Sequence, residues 1–196
     1  MTDFWQDLIK QHSSIQYADF DNCNCLMPLT QLGVLQITGE DSLPFLQSLL
    51  TNDVNALNVN QSQLNGFCNA KGRLFASFML IRRIDSYQLV LAKTMCMDLQ
   101  QRLNMYKLRS KVSITNVSDD LSLLGLSQAH GHENTHLALP EQDYLASEYK
   151  NTLFIRLPSS RDRYLAIVQA TDLADLCQEL LTQHWNLTNE TAWQLL

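Results

Sequence analysis

Residues 64–83 read LNGFCNAKGRLFASFMLIRR. The stretch holds two β-prone runs, 64–69 and 74–82, joined through Ala70-Lys71-Gly72, where a glycine lets the chain reverse tightly. A second reversal at Asp85-Ser86 returns the chain as a strand over 87–92. Thr94 then offers a helix cap, and Met95, Leu99, Leu103 and Tyr106 share one helix face by their spacing. Residues 112–117 predict a closing strand. Antiparallel strands with a helix packed on one side make an α+β layer.

Upstream, 25–29 and 34–38 predict two strands with Gly33 in the turn. Gly39-Glu40-Asp41-Ser42 ends the second strand and starts a helix. Asp41 or Ser42 caps its free amides, Pro44 suits its first turn, and Phe45, Leu46, Leu49 and Leu50 form its apolar stripe. A short amphipathic helix is expected over 3–11. Downstream, strands are expected over 121–126, 152–157 and 164–169, with a polar, His-rich loop between the first two. Thr171 caps a helix whose buried face is Leu173, Leu176, Cys177, Leu180 and Leu181. A last helix, begun at Thr188, is still running at Leu196. Trp193, Leu195 and Leu196 then have nothing to bury against, which predicts that more protein follows.

The 196 residues suffice for one large domain or two small ones, and 45% hydrophobic with 17% charged residues is ordinary for a globular chain. No apolar run approaches the roughly 20 residues that span a bilayer. The acidic, amphipathic start lacks the layout of a secretory signal. A cytoplasmic protein without membrane association is expected. The five cysteines (Cys23, Cys25, Cys68, Cys96, Cys177) include no CxxC pair and read as reduced thiols. Cys23-Asn24-Cys25 has the softness to hold a metal, but no second Cys or His pair at finger spacing accompanies it. His130, His132 and His136 crowd one loop and could chelate a metal, although surface histidines in a polar loop are the commoner case. No metal ligand set is assigned. No P-loop, dinucleotide fingerprint or Ser/His/Asp order is present.

The net charge of −6 conceals an asymmetry. From Lys71 to Lys111, nine basic side chains face two acidic ones, a local +7 against −13 for the remainder. Such a segment points to an anion site, or alternatively to a solvated outer face. Arg82-Arg83 and Lys107-Arg109-Lys111 are candidates for RNA phosphates. Strand alternation, however, sends Arg82 and Arg83 to opposite faces.

Three motifs in order resemble the YgfZ branch of the glycine-cleavage T-protein superfamily. The first is Ile37-Thr38-Gly39-Glu40-Asp41-Ser42, continuing through Phe45-Leu46-Gln47 to Leu50-Thr51-Asn52-Asp53-Val54. The second is Cys68-Asn69-Ala70-Lys71-Gly72-Arg73. The third runs from Leu103 through Tyr106 to Ser110-Lys111-Val112, followed by Leu124-Gly125. The resemblance implies an α+β fold with a ferredoxin-like antiparallel insert over 57–117. A second, discontinuous antiparallel α+β domain would come from 1–56 and 118–196. It also implies tetrahydrofolate or a derivative as cofactor, with iron–sulfur proteins and, indirectly, tRNA as partners.

Two departures bear on activity. Catalytic T-proteins carry paired aspartates where this chain has Ala76 and Ser77, and neither can serve as a carboxylate. The later cysteine motif of the YgfZ branch, Lys-Gly-Cys-Tyr-x-Gly-Gln-Glu, is absent from these residues. The reading is therefore a folate-binding accessory protein rather than an enzyme. The alternatives are an aminomethyltransferase and an RNA-binding module.

A folate site needs apolar walls, a few fixed polar groups and cations at its mouth. Lys71, Gly72 and Arg73 at the turn would supply the cations and a close backbone approach. Leu64, Gly66 and Cys68 would line one strand face, with Thr51 and Asp53 as polar contacts. Equally, Lys71-Gly72-Arg73 is readable as an exposed hairpin turn, Thr51 and Asp53 as helix-end hydrogen bonds, and Cys68 as a small buried hydrophobe.

Overall fold

The computed structural model describes residues 23–129 and 136–195, together with Trp5 and Leu8. The chain divides into two compact units, Met1–Thr30 with Ser122–Leu196, and Gln31–Leu121. The first unit opens with β1 (Cys25–Pro28). The second then runs β2 (Leu32–Thr38), α1 (Ser42–Leu49), β3 (Gln61–Cys68), β4 (Leu74–Arg82), β5 (Ser86–Ala92), α2 (Lys93–Tyr106) and β6 (Ser113–Asn116). The chain returns to the first unit with β7 (Leu121–Gln128), β8 (Ala146–Tyr149), β9 (Thr152–Leu157) and β10 (Asp162–Gln169). It continues through α3 (Leu173–Thr182), β11 (Asn186–Leu187) and α4 (Glu190–Leu195). The class is α+β, as the strand and helix pattern predicts.

In the second unit the sheet order is β3-β4-β5-β2-β6, and every pair is antiparallel. Strands β4-β5-β2-β6 follow the ferredoxin-like split β-α-β arrangement, and β3 is added at the β4 edge. This corrects the expected boundary at residue 57. β2 pairs with β5 from Leu32↔Ala92 to Thr38↔Ser86 and with β6 on its other side, so it is a central strand of this sheet. Those pairings join residues some 50 or more positions apart, which a local pattern does not register. The unit therefore begins at Gln31 and carries α1 with it.

Strand alternation sends Leu35, Ile37, Phe78, Leu80, Leu89 and Leu91 to one face, where they meet Phe45 and Leu46 of α1 and Cys96, Leu99 and Leu103 of α2. All of these are buried, and their removal from water is the main stabilisation of the unit. Asp41 does not cap α1 with its side chain. Its Oδ2 instead accepts the Lys111 amide at 2.7 Å, while Glu40 forms an ion pair with the Lys111 ammonium. Ser42 Oγ donates to Gly39 O at 2.7 Å. Thr94 also is not the cap of α2, whose cap position is Ala92, two residues earlier.

The first unit has a six-stranded sheet ordered β11-β1-β7-β10-β9-β8. β1 runs antiparallel to β7 and parallel to β11, and β9 is antiparallel to both neighbours. Leu26, Leu124, Leu126, Phe154, Ala166 and Val168 pack against Leu176, Cys177 and Leu180 of α3, with Trp5 and Trp185 in the same core. Burial pushes the Cys177 thiol up to about 12, so it stays protonated at neutral pH. Trp5 and Leu8 are helical, but the rest of the helix expected over 3–11 lies outside the described residues, as do His130 and His132. No helix among the described residues is long and apolar enough to cross a membrane.

Trp193 does find a seat, contrary to expectation. It covers Gly125, where an added Cβ would come within 2.7 Å of ring atom Cζ3. The Arg163 guanidinium stacks on the indole at 4.0 Å and donates to Trp193 O at 2.9 Å.

Gly39 carries the tightest backbone approach of the second unit. Its φ is +119°, and a Cβ there would collide with the Lys111 carbonyl. Gly39→Ala is therefore expected to cost about 2 kcal/mol or more in urea unfolding. An unchanged midpoint would show that this contact relaxes freely.

Candidate functional site

The β3–β4 turn is built by one carboxamide. Asn69 Oδ1 accepts the amides of Lys71 at 2.9 Å and Arg73 at 3.1 Å. The Asn69 amide donates to Arg73 O at 2.9 Å, and Gly72 donates to Asn69 O at 2.9 Å. Gly72 adopts φ +74°, the left-handed region that favours glycine. Nothing lies within 4 Å of a Cβ built there, so only the backbone conformation demands glycine.

Behind the turn stands a group of rings. Phe67 is buried and meets Phe75 edge-on at 6.2 Å and Tyr106, the last residue of α2, at 5.8 Å. Arg102, one helical turn before Tyr106, lays its guanidinium over Phe75 at 4.1 Å. Lys71, Arg73, Arg102, Phe67, Asn69 and Tyr106 line a cleft of about 430 Å³. Tyr106 also borders a second hollow, of about 860 Å³, formed by Pro44, Phe45 and Ser48 of α1 with Leu108 and Arg109.

The basic side chains of the central segment divide into two groups. Lys111 pairs with Glu40, and Lys93 with Asp119 at 3.3 Å. Arg82 donates to Leu57 O at 2.7 Å and Arg83 to Asn60 Oδ1 at 3.1 Å, so both hold the loop before β3. Among the described residues, Lys71, Arg73, Arg102, Lys107 and Arg109 have no carboxylate within ion-pair distance. The positive charge that remains unpaired thus concentrates beside Tyr106.

The structure brings Lys71 and Arg73 together in the cleft, beside Gly72 in the same turn. The other residues singled out from sequence lie elsewhere. Leu64, Gly66 and Cys68 alternate with Phe67 and fall on the opposite face of the hairpin, where Leu64 and Leu74 are both more than half exposed. Thr51 Oγ1 accepts the Gly66 amide at 2.9 Å and donates to Asn65 Oδ1 at 3.3 Å, tying the exit of α1 to β3. Asp53 Oδ1 accepts the Asn55 amide at 3.0 Å in a local turn. Phe67, Asn69, Arg102 and Tyr106 were given no site role from sequence, although Asn69 stands in the second motif and Tyr106 in the third. An Asn two residues before Lys71 is a turn signal, and the i, i+4 spacing of Arg102 and Tyr106 puts them on one helix face.

The GCVT N-terminal domain family matches residues 12–132. The chain belongs to that family. It is a YgfZ-type member, similar to the tRNA-modifying protein YgfZ of Edwardsiella ictaluri, with 30% identity over 177 residues, 87% of this chain and 52% of that protein. YgfZ of Photorhabdus laumondii is 25% identical over 174 residues, again covering 87% of this chain and 52% of the relative. The aminomethyltransferase of Bacillus licheniformis is 32% identical, but over only 101 residues, 52% of this chain and 28% of that one. Among solved structures, the glycine cleavage system aminomethyltransferase T of Bartonella henselae matches with a TM-score of 0.73 at 14% identity, covering 88% of this chain and 49% of that one. That likeness establishes the fold. The chain spans about half the length of these YgfZ relatives.

Asn69→Ala removes both turn acceptors and is expected to lower unfolding free energy by about 1 kcal/mol, whereas Asn69→Asp keeps an acceptor and most of the stability. Equal losses in the two variants, read by denaturant titration, would contradict the role given to the carboxamide.

Proposed function

We propose that this chain binds tetrahydrofolate or a derivative and serves, without catalysis of its own, iron–sulfur protein maturation and tRNA modification. The observation that carries the binding reading is the convergence of Lys71, Arg73 and Arg102 on one aromatic cleft with no carboxylate paired to them. A reduced folate has a flat pterin, an aromatic middle and a glutamate tail, and the tail carboxylates match these cations. One exposed ion pair contributes up to about 1 kcal/mol, so useful affinity needs several cations together with apolar contact.

The pterin then lies on the other face of the same hairpin, against the exposed side chains of Leu64 and Leu74, with Gly66 buried beneath Leu74. Cys68 and Thr51 stand at its margins, and the free oxygen of Asp53 is the acceptor for ring donors. The tail crosses the turn at Gly72 to reach Lys71 and Arg73. The YgfZ relatives, named as tRNA-modifying proteins, support the link to tRNA.

An aminomethyltransferase is the second reading, favoured by the Bacillus relative. Against it, Ala76 is buried in the core and Ser77 is an exposed hydroxyl opposite Gly66. Neither offers the carboxylate such chemistry needs. The RNA-binding alternative loses Arg82 and Arg83, which are committed to the loop before β3.

Calorimetry with 5-formyltetrahydrofolate should show binding that Lys71→Ala and Arg73→Ala each weaken by about 5-fold, roughly 1 kcal/mol. Unchanged affinity in both variants would remove the site. No turnover of an aminomethyl donor with tetrahydrofolate is expected, and turnover would overturn the non-catalytic reading.

A further inference from the structure

The first unit holds a sulfur cluster that the folate reading does not use. We propose that Cys23, Cys25 and Met27 form a binding site for a soft monovalent metal ion, copper(I), under the indole of Trp193. Cys25 and Met27, two apart on β1, present their side chains to one face, and Cys23 lies in the bend just before the strand. The two thiols already touch, with Sγ to Sγ at 3.5 Å. Cys25 and Met27 are fully buried and form one cluster, against which Cys23 and Trp193 pack. Met27 lies opposite Gly125 on β7, and Gly125 leaves the space that Trp193 fills.

The donor set selects the metal. Two thiols and a thioether suit copper(I), whereas magnesium, calcium and manganese take oxygen ligands. Structural zinc takes four nitrogen or sulfur ligands. Among the described residues no group of three or more His, Cys, Asp or Glu side chains could hold a metal. Metal–thiolate bonds near 2.3 Å set two sulfurs about 4.0 Å apart at a three-coordinate trigonal ion, so the pair, 3.5 Å apart, has about half an ångström to open.

Charge balance fits as well. The step is two thiols plus Cu⁺ giving a bis-thiolate copper(I) complex of charge −1, with release of two protons. A buried anion needs a cation near it. The Arg163 guanidinium stacks on the Trp193 ring at 4.0 Å, and its Nε is buried without a hydrogen-bond partner.

The test is an anaerobic titration of the reduced full chain with copper(I) against a chromophoric chelator such as bicinchoninate. One equivalent should be withheld from the chelator, with a sulfur-only shell in copper X-ray absorption and quenched tryptophan emission that Trp193→Phe reduces. Cys23 is only half-buried, so Cys23→Ser spares the core. Losing a ligand should cost more than the ~10–100-fold that loss of an outer partner costs. Met27→Leu should weaken binding while leaving the stoichiometry intact, and Cys68→Ser, outside this cluster, should leave copper binding unchanged. The proposal is overturned if the wild type surrenders its copper, if Cys23→Ser retains the equivalent, if Cys68→Ser abolishes binding, or if the shell contains nitrogen or oxygen.

Discussion

The buried ring of Phe67 is the fixed point of the candidate site. Its edge contacts to Phe75 and Tyr106 lock the end of β3, the start of β4 and the last turn of α2 to one another. The strand register shifts between Phe67 and Cys68, and Leu50 makes an isolated bridge to Phe67, so the exit of α1 is anchored at the same place. Phe75 in turn carries Arg102. Aromatic pairs of this kind add about 0.5–1.5 kcal/mol beyond the area they bury. They also decide where a guanidinium and a phenol stand relative to the Asn69 turn.

This arrangement reconciles a net negative chain with an anion site. Within the basic segment, the cations distant from Phe67 are occupied by carboxylates or by the loop before β3. Of those around it, Arg102 is held over the Phe75 ring, which leaves its hydrogen-bonding edge available. The paired lysines are exposed and contribute little to stability, so their main effect is to keep stray positive charge from competing with the cleft.

Much of this was legible from sequence because it is local. The strands over 74–82 and 152–157 have the bounds their alternation predicts, and the apolar spacing of Met95, Leu99 and Leu103 lies on one helix. The short strands Ala146–Tyr149 and Asn186–Leu187 were not legible, since one is half-polar and the other two residues long. The central place of β2 depends on pairing across distant residues, as does the use of Asp41 to hold the Lys111 amide in place of a cap. Lys71 and Arg73 were legible as a cationic turn. The partners that make it a cleft, Phe67 and Arg102, became recognisable only when β3 and α2 met.

The most direct measurement is an amide-resolved NMR titration of the chain with 5-formyltetrahydrofolate. The account predicts that the largest shifts fall on Asn69, Lys71, Gly72 and Arg73 and on the Arg102–Tyr106 turn, and that they saturate together with one affinity. Saturating shifts that leave the 69–73 turn and the end of α2 untouched would contradict it.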